Sequence, residues 1–349
     1  MKPRILIILA CLMLIGTKLS AQDIHFSQYY ASPLTLNPAL TGKFNGLWRV
    51  TGIYRDQFRN SVSQNPMAYM TPSFSLDFSL LKNKLKTDAL GVGAVVLYDQ
   101  IGGLQTLKAG VSVAYHKGLD KNNKYHLALG LQGIYGNRNI DPSFTFEEEL
   151  IANPTFQDDQ FLAANNEAVN SIDMNAGLLF DGEFTDWMTF YGGYSFMNIL
   201  RHKDDFIATP SGDAEFQTPF RHVAHAGFEF AVKKFLIIPG ALYQTTAKTR
   251  EINFGSTFGY KLLSKKEKTT TLFLGAWYRL DLALIAKAGV DFENFRISGA
   301  YDLGIAGLGK DLRNDTGARM PNAFEIAVSY FGPYGTPPTT DTYLFNPRF

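Results

Sequence analysis

Three places in this chain carry residue types that could do chemistry, and each fails on its spacing. Gly304 to Lys310 reads Gly-Ile-Ala-Gly-Leu-Gly-Lys, the opening of a phosphate-binding loop. Such a loop needs a Ser or Thr after the lysine and a helix whose amides point at the phosphate. Asp311 stands there instead and no helical pattern follows, so nucleotide binding is rejected. His222 and His225 have a spacing that pairs metal ligands on a helix. On a strand an odd separation sends them to opposite faces. No serine has the context of a nucleophile elbow, and the carboxylates fall mainly in loops and along one face of extended segments. A site assembled from distant strands would escape spacing arguments, but no catalytic, cofactor-binding or metal residue is assigned, no cofactor is expected, and the chain is not read as an enzyme.

The elements around these residues explain why. About fourteen short segments alternate apolar with small or polar residues. In one of them Tyr125, Leu127, Leu129, Leu131, Gly133 and Tyr135 share a face, and His126, Ala128, Gly130, Gln132 and Gly136 share the other, with Ile134 as the exception. Leu107, Ala109, Val111, Val113 and Tyr115 likewise oppose Lys108, Gly110, Ser112, Ala114 and His116. Successive strand side chains point to opposite faces, so each segment builds sheet with one oily side. Strands are expected near 44–58, 67–80, 89–98, 104–116, 124–137, 170–181, 187–199, 220–231, 234–246, 249–260, 268–280, 282–293, 295–304 and 322–332. Repeated end to end with no helical domain between, the pattern predicts an all-β fold: an outer-membrane β-barrel of about fourteen antiparallel strands. The inner faces read as rich in Gly and Ala rather than charge. Charges such as Lys287 and Glu325 are tolerated there, whereas a Lys or Arg at the lipid midplane costs about 2–4 kcal/mol.

Before the strands, Lys2 and Arg4 precede the apolar run Ile5–Ile15, and Ser20-Ala21 precedes Gln22. This reads as a signal peptide over residues 1–21, cleaved after Ala21; the apolar run is shorter than the roughly 20 residues a membrane helix needs. Cys11, the sole cysteine, lies in that leader, so the mature chain is expected to have no disulfide or thiolate chemistry. Without Lys2, Arg4 and Lys18, 30 basic residues face 32 acidic ones, a net charge of −2. That balance gives no electrostatic case for nucleic acid.

The three longest connections, near 138–169, 200–219 and 305–321, follow odd-numbered strands and are expected outside the cell, since such barrels keep short turns on the periplasmic side. The short turns are basic. Lys82, Lys84, Lys86, Lys265, Lys266 and Lys268 form a possible docking surface for an acidic periplasmic partner, or simply solubilise the turns.

Residues 22–43 are different in kind. Gln22 to Gly42 shows no strand alternation, carries two prolines that hold the preceding residues extended, and bears Phe26, Tyr29, Tyr30, Leu34 and Leu36. It is too apolar for a solvated tail and is expected inside the barrel or against its periplasmic rim. The barrel then spans 44–332 and a tail 333–349.

This segment carries a family resemblance. Phe26-Ser27-Gln28-Tyr29-Tyr30 and Pro33-Leu34-Thr35-Leu36-Asn37-Pro38-Ala39-Leu40-Thr41-Gly42 resemble the start of the PorP/SprF family, and Tyr54-Arg55-Asp56-Gln57-Phe58 resembles its next phrase. Asp77 and Phe78 fit the strand after it. The resemblance implies an outer-membrane component of the type IX secretion system of Gram-negative Bacteroidota. Members support secretion and surface attachment of a cargo adhesin, as in gliding motility, or act as core machinery. Implied partners are periplasmic ring and lipoprotein components and the C-terminal domain of a secreted adhesin. The alternative is a passive channel or small-solute transporter.

Overall fold

The computed structural model describes residues 25–57, 69–81, 85, 87–140, 168–202, 217–247, 249–262, 270–305 and 322–333. Within them the chain forms β1 (Trp48–Gln57), β2 (Tyr69–Leu80), β3 (Ala89–Ile101), β4 (Leu104–Gly118), β5 (Tyr125–Ile140), β6 (Val169–Thr185) and β7 (Met188–Met197). Then follow β8 (Arg221–Val232), β9 (Phe235–Thr246), β10 (Thr249–Leu262), β11 (Thr270–Arg279), β12 (Ala283–Phe292), β13 (Phe295–Gly304) and β14 (Asn322–Gly332). Each strand pairs antiparallel with its neighbours in sequence, and β1 pairs with β14, so the sheet closes into a barrel with no free edge. Closure is what lipid demands, because an unpaired backbone N–H or C=O has no partner in hydrocarbon. No helix among the described residues is long and apolar enough to cross a membrane.

The alternation sorts the side chains as the period of two requires. Val111, Leu129, Ile172 and Leu274 point outward and are more than 60% exposed, a band of apolar surface far larger than a water-soluble protein carries. On the same strands Ser112, Ala128, Asp173 and Phe273 point inward and are buried. His222 and His225 take opposite faces: His222 packs outward on Phe196, and His225 is buried inside.

Two expectations are refined. The strand expected from residue 44 begins at Trp48, because Lys43 and Phe44 are fully buried in the lumen rather than placed in the wall. Strand β6 runs past its expected end to Thr185, through a register shift against β7 between Glu183 and Thr185. The connections after β1, β5, β7 and β13 are long and leave the barrel at one end, called here the long-connection end. The other end carries the turns after even-numbered strands. There Asp120 receives the backbone N–H groups of Asn122, Lys124 and Tyr125 at 2.8–3.0 Å. Its small burial works against the charge, but these donors outweigh it and hold the carboxyl below its ordinary value. Most of the phosphate-loop look-alike and all six docking lysines lie outside the described residues.

Candidate functional site

The lumen is occupied by the chain's own residues 25–44. Pro33 and Pro38 each open a short helical turn, Pro33–Leu36 and Pro38–Leu40, after a third turn at Tyr29–Ala31. Proline suits the first helical position because its missing N–H would be unpaired there anyway. Asn37 precedes Pro38 in an extended conformation, and its side-chain oxygen caps the turn by accepting from Ala39 N–H at 2.9 Å. Gly42 turns the chain with φ +72°, a left-handed conformation that glycine adopts without strain.

The segment enters near the long-connection end and leaves near the short-turn end, and it is held at three levels. At the upper level Arg55 of β1 faces Glu325 of β14 across the closing strand pair and is ion-paired to it. Glu325 also accepts the N–H groups of Ser27 and Gln28, at 2.6 and 2.8 Å. The Ser27 hydroxyl donates to Asp302 at 2.5 Å and receives Arg55 and Arg279 at 2.8 and 2.6 Å. Lys287 donates to the Ser27 carbonyl at 2.9 Å while its ammonium sits 4.1 Å over the Trp277 ring. Tyr29 meets Trp277 edge to face with centroids 5.8 Å apart. Gln57 steadies Arg55 by accepting from its Nε at 3.2 Å.

At the middle level the wall binds the segment's backbone. Gln132 donates to Leu34 O at 2.9 Å, Ser195 donates to Leu36 O at 2.7 Å, and Asn37 donates to Leu178 O at 3.1 Å. Gly130 lies directly beneath: a Cβ there would collide with the backbone of Pro38 and Ala39. At the lower level Arg49 grips Asp77 through two bonds of 2.9 and 2.7 Å, and Asp77 accepts Gly42 N–H at 2.8 Å. His116 Nε2 donates to Thr41 O at 2.8 Å; the acceptor is a carbonyl, which fixes the ring's tautomer. Lys43 pairs with Asp181 at 2.5 Å, and His126 flanks that carboxylate at 3.3 Å. Below this, a polar recess of about 650 Å³ opens at the short-turn end, lined by residues such as Lys124, Glu183, Glu229 and Lys261.

The phrase residues singled out in the sequence gather here. Phe26, Ser27, Gln28, Tyr29, Pro33, Asn37, Pro38, Ala39, Thr41 and Gly42 are all buried in the lumen segment, and Arg55 is its upper clamp. Tyr54 is set apart, with its hydroxyl on Asp56 at 3.3 Å on the outer face of β1. The inner wall corrects one expectation. Glycines do line the segment's path, but Arg49, Asp77, Asp181, Glu251, Arg279, Lys287, Asp302 and Glu325 make it a charged surface as well. The carboxylates and guanidinium groups among them each meet an opposite charge, and Lys287 meets the Ser27 carbonyl and the Trp277 ring. The arrangement fills the middle of the lumen with the chain's own segment.

Solved outer-membrane proteins are similar to this chain to different degrees. The toluene transporter TodX of P. putida superposes with a TM-score of 0.51 at 11% identity, over 86% of this chain and 93% of that one. A FadL homologue of Pseudomonas aeruginosa gives 0.46 at 10% identity, over 84% and 92%. The KdgM porin gives 0.38 at 8% identity, over 81% and 98%. At 11% identity the likeness to TodX is one of fold alone. No protein of curated function matches the chain in sequence. The model of the type IX secretion system membrane protein PorP/SprF matches residues 18–330, from before the lumen segment to within the last strand, and the chain belongs to that family.

Proposed function

We propose that this protein is a non-conducting outer-membrane dock of type IX export, which supports secretion of an adhesin cargo and its attachment at the cell surface. The observation that carries the reading is the buried segment from Phe26 to Phe44, fixed at three levels inside the barrel. A lumen filled by a charge-paired strap suits a binding platform better than a passage. In this reading the long-connection end faces the exterior, as the asymmetry of such barrels suggests. The short-turn end, with its lysine-rich turns and polar recess, faces the periplasmic ring or lipoprotein components. The C-terminal domain of the adhesin is the second partner, and residues 1–21 are a cleaved signal peptide.

The passive-channel alternative requires the strap to leave. Two measurements decide between them. A strain lacking this protein and its family copies should lose surface display of one or a few cargoes while its bulk outer-membrane composition persists. The purified barrel should show no steady conductance in planar bilayers. Unaltered display together with robust single-channel conductance would establish the channel instead.

A further inference from the structure

Between the lumen segment and the wall, toward the long-connection end, lies a cavity of about 110 Å³. One part of its lining is apolar, with Phe26 and Leu36 from the segment and Val95, Ile134 and Leu242 from the wall; the rest is polar and includes Gln132, Asn175 and Arg221, whose guanidinium donates to Gln244 at 2.9 Å. Lys108 of β4 also lines it. The neighbouring acid in the lining, Asp173, is already engaged by the ring of His202 at 3.1 Å and by the N–H groups of Met174 and Leu200 at 2.7 and 3.0 Å. Among the described residues no carboxylate is paired with Lys108, whereas Arg49, Arg55 and Arg279 of the wall and Lys43 of the lumen segment each have one.

We propose that this cavity is a binding site for one small amphipathic anion, with an apolar body the size of a single ring against Phe26, Leu36 and Ile134 and a carboxylate on Lys108. Size limits the apolar half: at about 110 Å³ the cavity is smaller than the apolar cavity of about 150 Å³ that accepts benzene, so it admits at most one ring, with the carboxylate outside it at Lys108. Chemistry supports the polar half. A half-buried ammonium on an apolar wall gains most from an anion whose remaining surface is apolar, because both partners then lose water together. A cationic ligand would face Lys108 unpaired, and a purely apolar one would leave the ammonium without a partner. The site is independent of the export reading, since it needs only the strap and the wall.

The test uses the full mature barrel in lipid nanodiscs, with fluorine NMR of para-fluorobenzoate, para-fluorotoluene and para-fluorobenzylamine, and empty nanodiscs as the partition control. Para-fluorobenzoate should bind saturably at one site and para-fluorobenzylamine should not. Lys108→Met should weaken benzoate binding at least tenfold, Lys108→Arg should retain it, and Ile134→Phe should abolish it by filling the cavity. Far-UV circular dichroism and the gel mobility of unboiled samples report whether each variant is folded. Should Lys108→Met not fold, the wild-type contrast between benzoate and benzylamine still decides. Equal partition of all three probes, or benzoate binding unchanged in folded Lys108→Met, overturns the proposal.

Discussion

Arg55 and Glu325 are direct partners across the strand pair that closes the barrel, and the same Glu325 carboxylate holds the backbone of Ser27 and Gln28 in the lumen. Wall closure and lumen filling therefore share one residue. Replacing Glu325 with Ala strips a buried guanidinium of one counter-charge and two N–H groups of their acceptor. Loss of one partner of a buried pair costs about 3–5 kcal/mol. The expected outcome is a lower urea unfolding midpoint with an unchanged slope, and protease cleavage newly appearing between Phe26 and Leu40.

Lys43 and Asp181 form the lower clamp, each almost fully buried. Lys43→Met alone leaves Asp181 with only His126 and should destabilise by about 3–5 kcal/mol, as should Asp181→Leu alone. The double variant should recover much of that loss, because two apolar side chains bury no orphan charge. A double-mutant cycle from urea unfolding measures the coupling, and additive losses would contradict the clamp.

Two glycines of β5 separate strap contact from strand propensity. A Cβ at Gly130 meets the backbone of Pro38 and Ala39, which cannot yield, whereas one at Gly133 meets nothing within 4 Å. Gly130→Ala should cost about 1–3 kcal/mol as overpacking does and should raise bilayer conductance by displacing the strap. Gly133→Ala should be silent on both readouts.

Orientation is tested with cysteines in short turns at opposite ends. Asp281 lies in the turn between β11 and β12, at the long-connection end, and Asp186 in the turn between β6 and β7. Both are exposed. Asp281→Cys should react with an impermeant thiol reagent on intact cells and Asp186→Cys should not. The reverse labelling would invert the proposed topology.

The turn carboxylate Asp120 gives a pH signature. Its folded value is depressed, so its contribution is complete above the ordinary carboxylate value of about 3.9 and is lost as pH falls through the depressed one. Asp120→Ala should lower stability at neutral pH, where the contribution is fully present, and flatten that acid limb of the stability curve, as urea unfolding across pH would measure.

Much of this was legible beforehand. A side-chain period of two needs only local sequence, so the strands from Ala89–Ile101 to Asn322–Gly332 start and end within a few residues of expectation. That the segment packs against the barrel was legible because Phe26, Tyr29 and Leu34 are too apolar for solvent and no strand alternation runs through it, although the lumen and the periplasmic rim both remained open as its place. The clamps were not. Alternation says that Glu325, Asp302 and Lys287 point inward, but which of them meet Ser27 depends on registers between strands hundreds of residues from it. The signal available was that charges recur on inward positions, which a merely water-filled or Gly/Ala-lined lumen does not require. The stretch 44–47 misled because Phe44 looks like the first apolar residue of the strand, whereas its apolar character serves lumen burial.

The strap also imposes an order on folding. It touches Glu325 in the final strand and Asp77 in the second, so its contacts span nearly the whole chain and cannot mature until the last strand docks. Loop closure over such separation is entropically costly and slow. The wall must therefore wrap around a strap already laid inside it, much as a cask is coopered around its hoop form. A chain that stalls before β14 leaves Arg55 with Asp302 as its counter-charge and takes the acceptor from the N–H groups of Ser27 and Gln28 at the same moment. Incomplete barrels thus expose a raw sheet edge at the same time as the strap loses its Glu325 anchor.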